Sequence, residues 1–169
     1  MPPIEEGKLR FTFPDGWSAS AYDKWPYYQN QFKGSCGGNK AVDILARDPD
    51  QQLWLVEVKD YREYPRTKPI DLWDEVAIKV RDTLAGLVSA KVETAHAHQG
   101  DAAAALGATK LRVIIHLEQP AKRSKLFPRV FDTEKVRQKL RTLVKPIDAH
   151  PRVVELNDMT GVPWSVASI

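Results

Sequence analysis

The chain predicts a three-layer α/β domain around a mixed central sheet, and three stretches carry that expectation. Residues 40–45 and 53–59 are apolar runs separated by a short turn, the pattern of an antiparallel hairpin. From Asp71 onward, Leu72, Trp73, Val76, Val80, Leu84, Leu87 and Val88 recur at helical spacing. Residues 111–117 then form a nearly continuous apolar strand, and a helical crossover from the hairpin sets it parallel to the hairpin's second strand. A sheet that is apolar on both faces needs helices over it, which gives the layers. At 169 residues the chain is expected to form one domain, residues 1–169, with a core over about 20–117 and a basic helix and final strand over 122–157.

The remaining elements follow in order. Residues 8–13 alternate polar and apolar, which predicts a half-buried strand closed by Pro14-Asp15-Gly16. An aromatic cluster follows (Trp17, Tyr22, Trp25, Tyr27, Tyr28 and Phe32), and Trp25-Pro26 marks a helix start running to about Lys33 with its aromatic face on the sheet. The loop 34–39 contains glycines and the lone Cys36, read as a turn residue. It is no phosphate loop, because Ala41 and a strand follow Lys40 where that motif needs Ser or Thr and a helix. Residues 60–69 form an irregular connection rich in Arg, Tyr and Pro, and Asp74 and Glu75 sit in the next helix's first turn as capping or surface acids. His96 and His98, two residues apart, diverge on a helix and make no metal pair there. A short Ala-rich helix spans 101–106 and ends at Gly107. After a basic loop over 118–131, Asp132-Thr133-Glu134 starts a helix whose apolar stripe is Val136, Leu140, Leu143 and Val144, and residues 152–156 form a last short strand.

Chemistry concentrates on the central hairpin. With the loop centred on Asp50, Asp43 faces Glu57, Leu45 faces Leu55 and Arg47 faces Leu53. Odd positions therefore share a face, and Glu57 and Lys59 project together about 6 to 7 Å apart along the backbone. Two opposed carboxylates repel and require a cation. Lys59 supplies one in a salt-bridge reading; a divalent ion such as Mg²⁺, which takes carboxylate oxygens and keeps water, supplies it in another. Glu6-Gly7-Lys8 repeats the tripeptide form in a Pro-rich tail with no Asp before it.

Asp43, thirteen intervening residues and Glu57-Val58-Lys59 at the end of an apolar strand resemble the PD-(D/E)xK nuclease superfamily, with its restriction-endonuclease-like fold. Val42 stands where the motif's name has proline. The resemblance implies that Asp43, Glu57 and the Val58 carbonyl bind Mg²⁺, with Mn²⁺ as a substitute. It further implies that Lys59 orients or activates the attacking water, and that a polar residue of the first helix region, Asp23 or Gln29, assists.

Net charge is only +3, but residues 122–145 hold nine Lys or Arg against Asp132 and Glu134, a local balance of +7 that leaves −4 for the rest. Such a stretch suits either a solvated helix face or a phosphate polymer. Lys122, Arg123, Lys125, Arg137 and Arg141 are the candidate nucleic-acid contacts there, joined by Arg62 and Arg66 in the 60–69 connection and by Lys40 beside Asp43. Lys40 equally suits a salt bridge to the carboxylates. The expectation is a cytoplasmic, Mg²⁺-dependent nuclease acting on nucleic acid, DNA above all, with no membrane segment and a homodimer or partner protein supplying specificity. The alternative is a subunit of the same fold, in a defence, repair or mobile-element complex, that binds nucleic acid or a partner without cutting.

Overall fold

Strand β5 (Gln52–Asp60) is the axis of the protein, pairing antiparallel with β4 (Ile44–Arg47) on one side and parallel with β6 (Lys110–Glu118) on the other. The computed structural model describes residues 1–93, 95–120 and 130–169. Strand β3 (Ser18–Ala21) adds antiparallel to β4, and β7 (Arg152–Val154) adds parallel to β6, giving a five-stranded mixed sheet in the order β3-β4-β5-β6-β7. A second sheet has the order β1-β2-β8, with β1 (Ile4–Glu6), β2 (Leu9–Thr12) and β8 (Ser165–Ser168) all antiparallel.

The hairpin register is the one the parity argument predicts: Leu45 pairs with Leu55 and Arg47 with Leu53. Alternation then sorts the side chains into two cores. Odd residues Leu45, Leu53 and Leu55 pack with Tyr22, Trp25 and Tyr28 and with the helices α1 (Leu72–Val92), α2 (Gln99–Leu106) and α3 (Thr133–Val144). Even residues Ile44, Ala46, Trp54, Val56 and Val58 pack against Leu9 and Phe11 of β2 and against Phe13 and Trp164. The mixed sheet is thus as expected, whereas its second covering layer is the small sheet and not helices. All three described α-helices lie on the odd face. The sequence reason is that β2 alternates buried Leu9 and Phe11 with exposed Arg10 and Thr12, which presents a one-sided apolar strand to the face that the helices leave open.

The long helix begins after Asp71, as its periodicity predicts, and buries Leu72, Val76, Val80 and Leu87, while Val88 turns to solvent. Gly86 in this helix is where the aromatic segment touches it, for a Cβ there would collide with the Tyr22 hydroxyl and crowd the Phe32 ring. That segment does start at Pro26, but Tyr28–Phe32 is wound as a π turn instead of a regular α-helix. Asp132 caps α3 by accepting from the amides of Glu134 and Lys135. Val136, Leu140 and Val144 form its buried stripe, and Leu143, expected there, is 44% exposed. No helix among the described residues is long and apolar enough to cross a membrane.

Candidate functional site

The site lies where β5 ends on the helical side of the sheet. Parity puts Glu57 and Lys59 on the same face as Leu53 and Leu55, and α1 crosses directly over them. Two side chains of α1 hold the segment entering β4 in place: Thr83 Oγ1 accepts from the Val42 amide at 3.0 Å and Asp82 Oδ2 accepts from the Lys40 amide at 2.9 Å. Asp43 is thereby fixed one residue before β4 begins. Its amide donates to the Val56 carbonyl at 3.1 Å, its carbonyl accepts from the Tyr22 amide at 2.9 Å, and its Oδ2 accepts from the Val58 amide at 2.6 Å. The carboxylate therefore stands in for the strand partner that β5 lacks at this point.

From Asp43 inward the charges alternate. The Lys79 ammonium lies 3.5 Å from Asp43 Oδ1 and 2.6 Å from Glu57 Oε1. Lys59 lies 2.6 Å from the same Glu57 oxygen and 3.4 Å from Glu75 Oε1. Glu75, fully buried in the first turn of α1, also takes Arg66 at 2.6 Å and Lys68 at 2.5 Å. The two glutamates respond oppositely to this setting. Burial, reinforced by the Asp43 charge, pushes the Glu57 carboxyl up to about 7 despite its two ammonium neighbours. Burial also acts on Glu75, but Lys68, Lys59 and Arg66 outweigh it and hold that carboxyl down at about 2. Lys59 is held above its ordinary range, Glu57 and Glu75 overcoming the cost of burying its ammonium. Glu57 is 0% exposed, and its second oxygen, Oε2, has no hydrogen-bond partner among the described residues.

On the outer side of Asp43, Asp23 and Glu6 complete a group of three carboxylates, each offering an oxygen within 4.8 Å of the others. Burial followed by the charges of Glu6 and Asp43 raises the Asp23 carboxyl to about 6, and its buried Oδ1 has no hydrogen-bond partner among the described residues. Glu6 is also paired with Lys24 at 2.7 Å. The Glu6, Asp23 and Asp43 group has the donor chemistry of a divalent-cation site, since such an ion prefers several carboxylate ligands and its charge relieves their mutual repulsion, and Glu57 joins this group through the Lys79 ammonium.

Of the residues singled out in the sequence, Asp43, Glu57, Lys59 and Asp23 come together, and Val58 joins them through its amide. The rest lie elsewhere. Gln29 reaches the backbone oxygen of Asp23 at 2.5 Å, and Lys40 is exposed. Arg62 forks onto Asp60, Arg66 is consumed by Glu75, and Arg137 pairs with Glu134 on α3, where Arg141 is exposed. Lys122, Arg123 and Lys125 lie outside the described residues. His96 and His98 stack on Tyr27 and Trp25, with ring centroids 4.2 and 4.4 Å apart.

Three residues at the site escaped the sequence reading. Glu75, expected as a capping or surface acid, is instead a buried hub. Lys79 follows it by one helical turn, and the signal was available, since 75, 79 and 82 share the stripe of Leu72, Val76 and Val80. Glu6 was set aside for lack of an upstream Asp; the sheet β1-β2-β8 delivers it to Asp43 through space, which spacing along the chain does not reveal.

No protein-family profile matches the chain, and no solved structure matches it. The chain is similar to a cysteine-tRNA ligase of Neisseria meningitidis serogroup A / serotype 4A (strain DSM 15465 / Z2491), with 31% identity over 211 aligned residues. That alignment takes in 99% of this chain and 30% of the ligase, so the chain spans under a third of the relative's length.

Proposed function

We propose that the protein is a divalent-metal-dependent nuclease of restriction-endonuclease-like fold that hydrolyses nucleic-acid phosphodiesters, DNA foremost. The observation that carries this reading is the convergence of Asp43, Glu57 and Lys59 at the end of β5, beside two buried carboxylate oxygens that no described group satisfies. Asp43 and Glu57, with the Val58 carbonyl and with Asp23 as support, would hold Mg²⁺ or Mn²⁺. Bound there, the ion supplies charge at the phosphoryl oxygens and lowers the pKa of a bound water.

Lys59 orients the attacking water and offsets negative charge developing on the phosphoryl group. Its second partner, Glu75, keeps the ammonium aimed at the rim of the sheet, and Arg66 and Lys68 hold Glu75 in turn. Lys40 and the exposed bases of α3 supply diffuse attraction for a phosphate backbone. Arg62, Arg66 and Arg137 are each tied to a carboxylate, so specificity would come from a homodimer or a partner protein, and a reducing, cytoplasmic setting suits the single Cys36, which is exposed.

A second reading is favoured by the likeness to a segment of a ligase named for tRNA: a module that binds nucleic acid without cutting it. One assay separates the two. Plasmid, linear and single-stranded DNA, and RNA including tRNA, are incubated with the protein in Mg²⁺, Mn²⁺ or chelator. The nuclease reading expects metal-dependent cleavage that disappears in Lys59→Ala while that variant stays folded. Full activity in Lys59→Ala sinks the mechanism, and binding without cleavage under every metal condition favours the second reading.

A further inference from the structure

The Lys79 ammonium sits between Asp43 and Glu57, the two carboxylates assigned above to a divalent ion. Resting on that reading, we propose that Lys79 is a resident counter-ion which a divalent cation displaces on entering the site. Two like charges cannot share one position between two carboxylates, because at contact distance their repulsion is strong even at a protein-like effective dielectric. One of them must leave.

The two lysines of the site differ in what displacement would cost them. Lys59 has Glu75 to hold when Glu57 turns to a metal. Among the described residues the ion pairs of Lys79 are to Asp43 and Glu57, the same two carboxylates that would take the metal, so metal entry removes both partners at once. With Lys79 and Lys59 both on Glu57 Oε1, Glu57 Oε2 and Asp23 Oδ1 still have no hydrogen-bond partner among the described residues. Lys79 therefore keeps the metal-free site folded against Asp43–Glu57 repulsion, and sets metal affinity below what the carboxylates alone would give.

The test uses the full chain, Mn²⁺ as the probe, and Lys79→Met with Lys79→Gln as a second variant. Calorimetric titration should show Mn²⁺ binding tightened at least about tenfold in both variants, a modest figure against the Coulomb repulsion removed. Thermal melting in chelator should fall for both, and excess Mn²⁺ should close the gap to the unaltered protein. A measurement needing no variant runs alongside: amine labelling of the unaltered protein followed by mass spectrometry, where Mn²⁺ should raise the labelling rate of Lys79 severalfold and leave Lys59 unchanged. Unaltered or weaker Mn²⁺ binding in both variants overturns the inference, as does Lys79 labelling that does not respond to bound Mn²⁺. If the unaltered protein binds Mn²⁺ and Asp43→Ala abolishes it, either of those results defeats the counter-ion role alone. Absence of Mn²⁺ binding in the unaltered protein and in both Lys79 variants defeats the metal-site reading together with it.

Discussion

The two ends of the β4–β5 hairpin each bury a carboxylate, and they are satisfied in different ways. At the turn, Asp48 accepts from the Gln52 amide at 2.8 Å and from the Trp54 indole at 2.9 Å, donors built into the hairpin itself. At the open end, Glu57 meets two lysine ammoniums through one oxygen, and the other has no hydrogen-bond partner among the described residues. Asp148 resembles Asp48, taking the Val113 and His150 amides at 2.9 Å each. Acids whose lone pairs are filled by fixed amides close a turn or a strand end. An acid held by long, movable cations, with an oxygen to spare, is poised to exchange partners. The proposed function assigns chemistry to the open end, and the turn end is architecture.

The largest effect that would sharpen the contrast is on cleavage. Asp43→Ala and Lys59→Ala should each lower metal-dependent hydrolysis more than about a hundredfold, the scale on which removal of a charge-stabilising group is felt, whereas Asp48→Asn should leave the rate per folded molecule unchanged. Initial rates on the preferred substrate, normalised to folded protein by circular dichroism, check both. Next in size is Glu75→Gln: it leaves Arg66 and Lys59 facing a neutral amide inside the protein, and should cost about 3 kcal/mol in chemical denaturation near neutral pH.

Glu57 should respond with the opposite sign. Its folded carboxyl binds a proton more tightly than the unfolded one, being raised from 4.5 to about 7, so its favourable contribution is full below about pH 4.5 and lost as pH rises through about 7. Glu57→Gln should therefore raise stability at pH 8, on the order of 2 kcal/mol, and flatten the decline between those pH values. Glu75 works in the other window: its contribution is present above pH 4.5 and disappears as pH falls toward about 2. Urea midpoints of the two Gln variants across pH 3–8 read both signs, and a Glu57→Gln variant less stable than the unaltered protein at pH 8 would break the comparison. The smallest effect belongs to Asp48→Asn, about 1 kcal/mol for a strained indole and amide contact, with no dependence on added metal.

Much of this was legible in the sequence because the hairpin obeys a period of two. Fixing the turn at Asp50 fixed every pairing, and with it the shared face of Glu57 and Lys59. The parallel placement of β6 followed from its unbroken apolar run. The second layer was not legible, because β1 and β8 are three- and four-residue strands of mixed polarity, and β8 pairs with β2 across nearly the whole length of the chain. Strand β3, Ser-Ala-Ser-Ala, carries no hydrophobic signal of its own and owes its place to its pairing with β4. At the site, Glu75 read as a capping or surface acid and Lys79 drew no reading, because nothing along the chain shows that this helix lies across Glu57. A buried ion pair between a strand and a helix leaves no periodic trace in either. It shows in sequence only as polar residues on an apolar stripe.

Anomalous diffraction from crystals soaked in Mn²⁺ probes the Asp43–Glu57 rim most directly. A metal site here gives an anomalous peak bounded by Asp43 and Glu57, with the Lys79 ammonium moved out of the position it now holds between them. No peak at that rim, with Lys79 still bridging the two carboxylates, would contradict it.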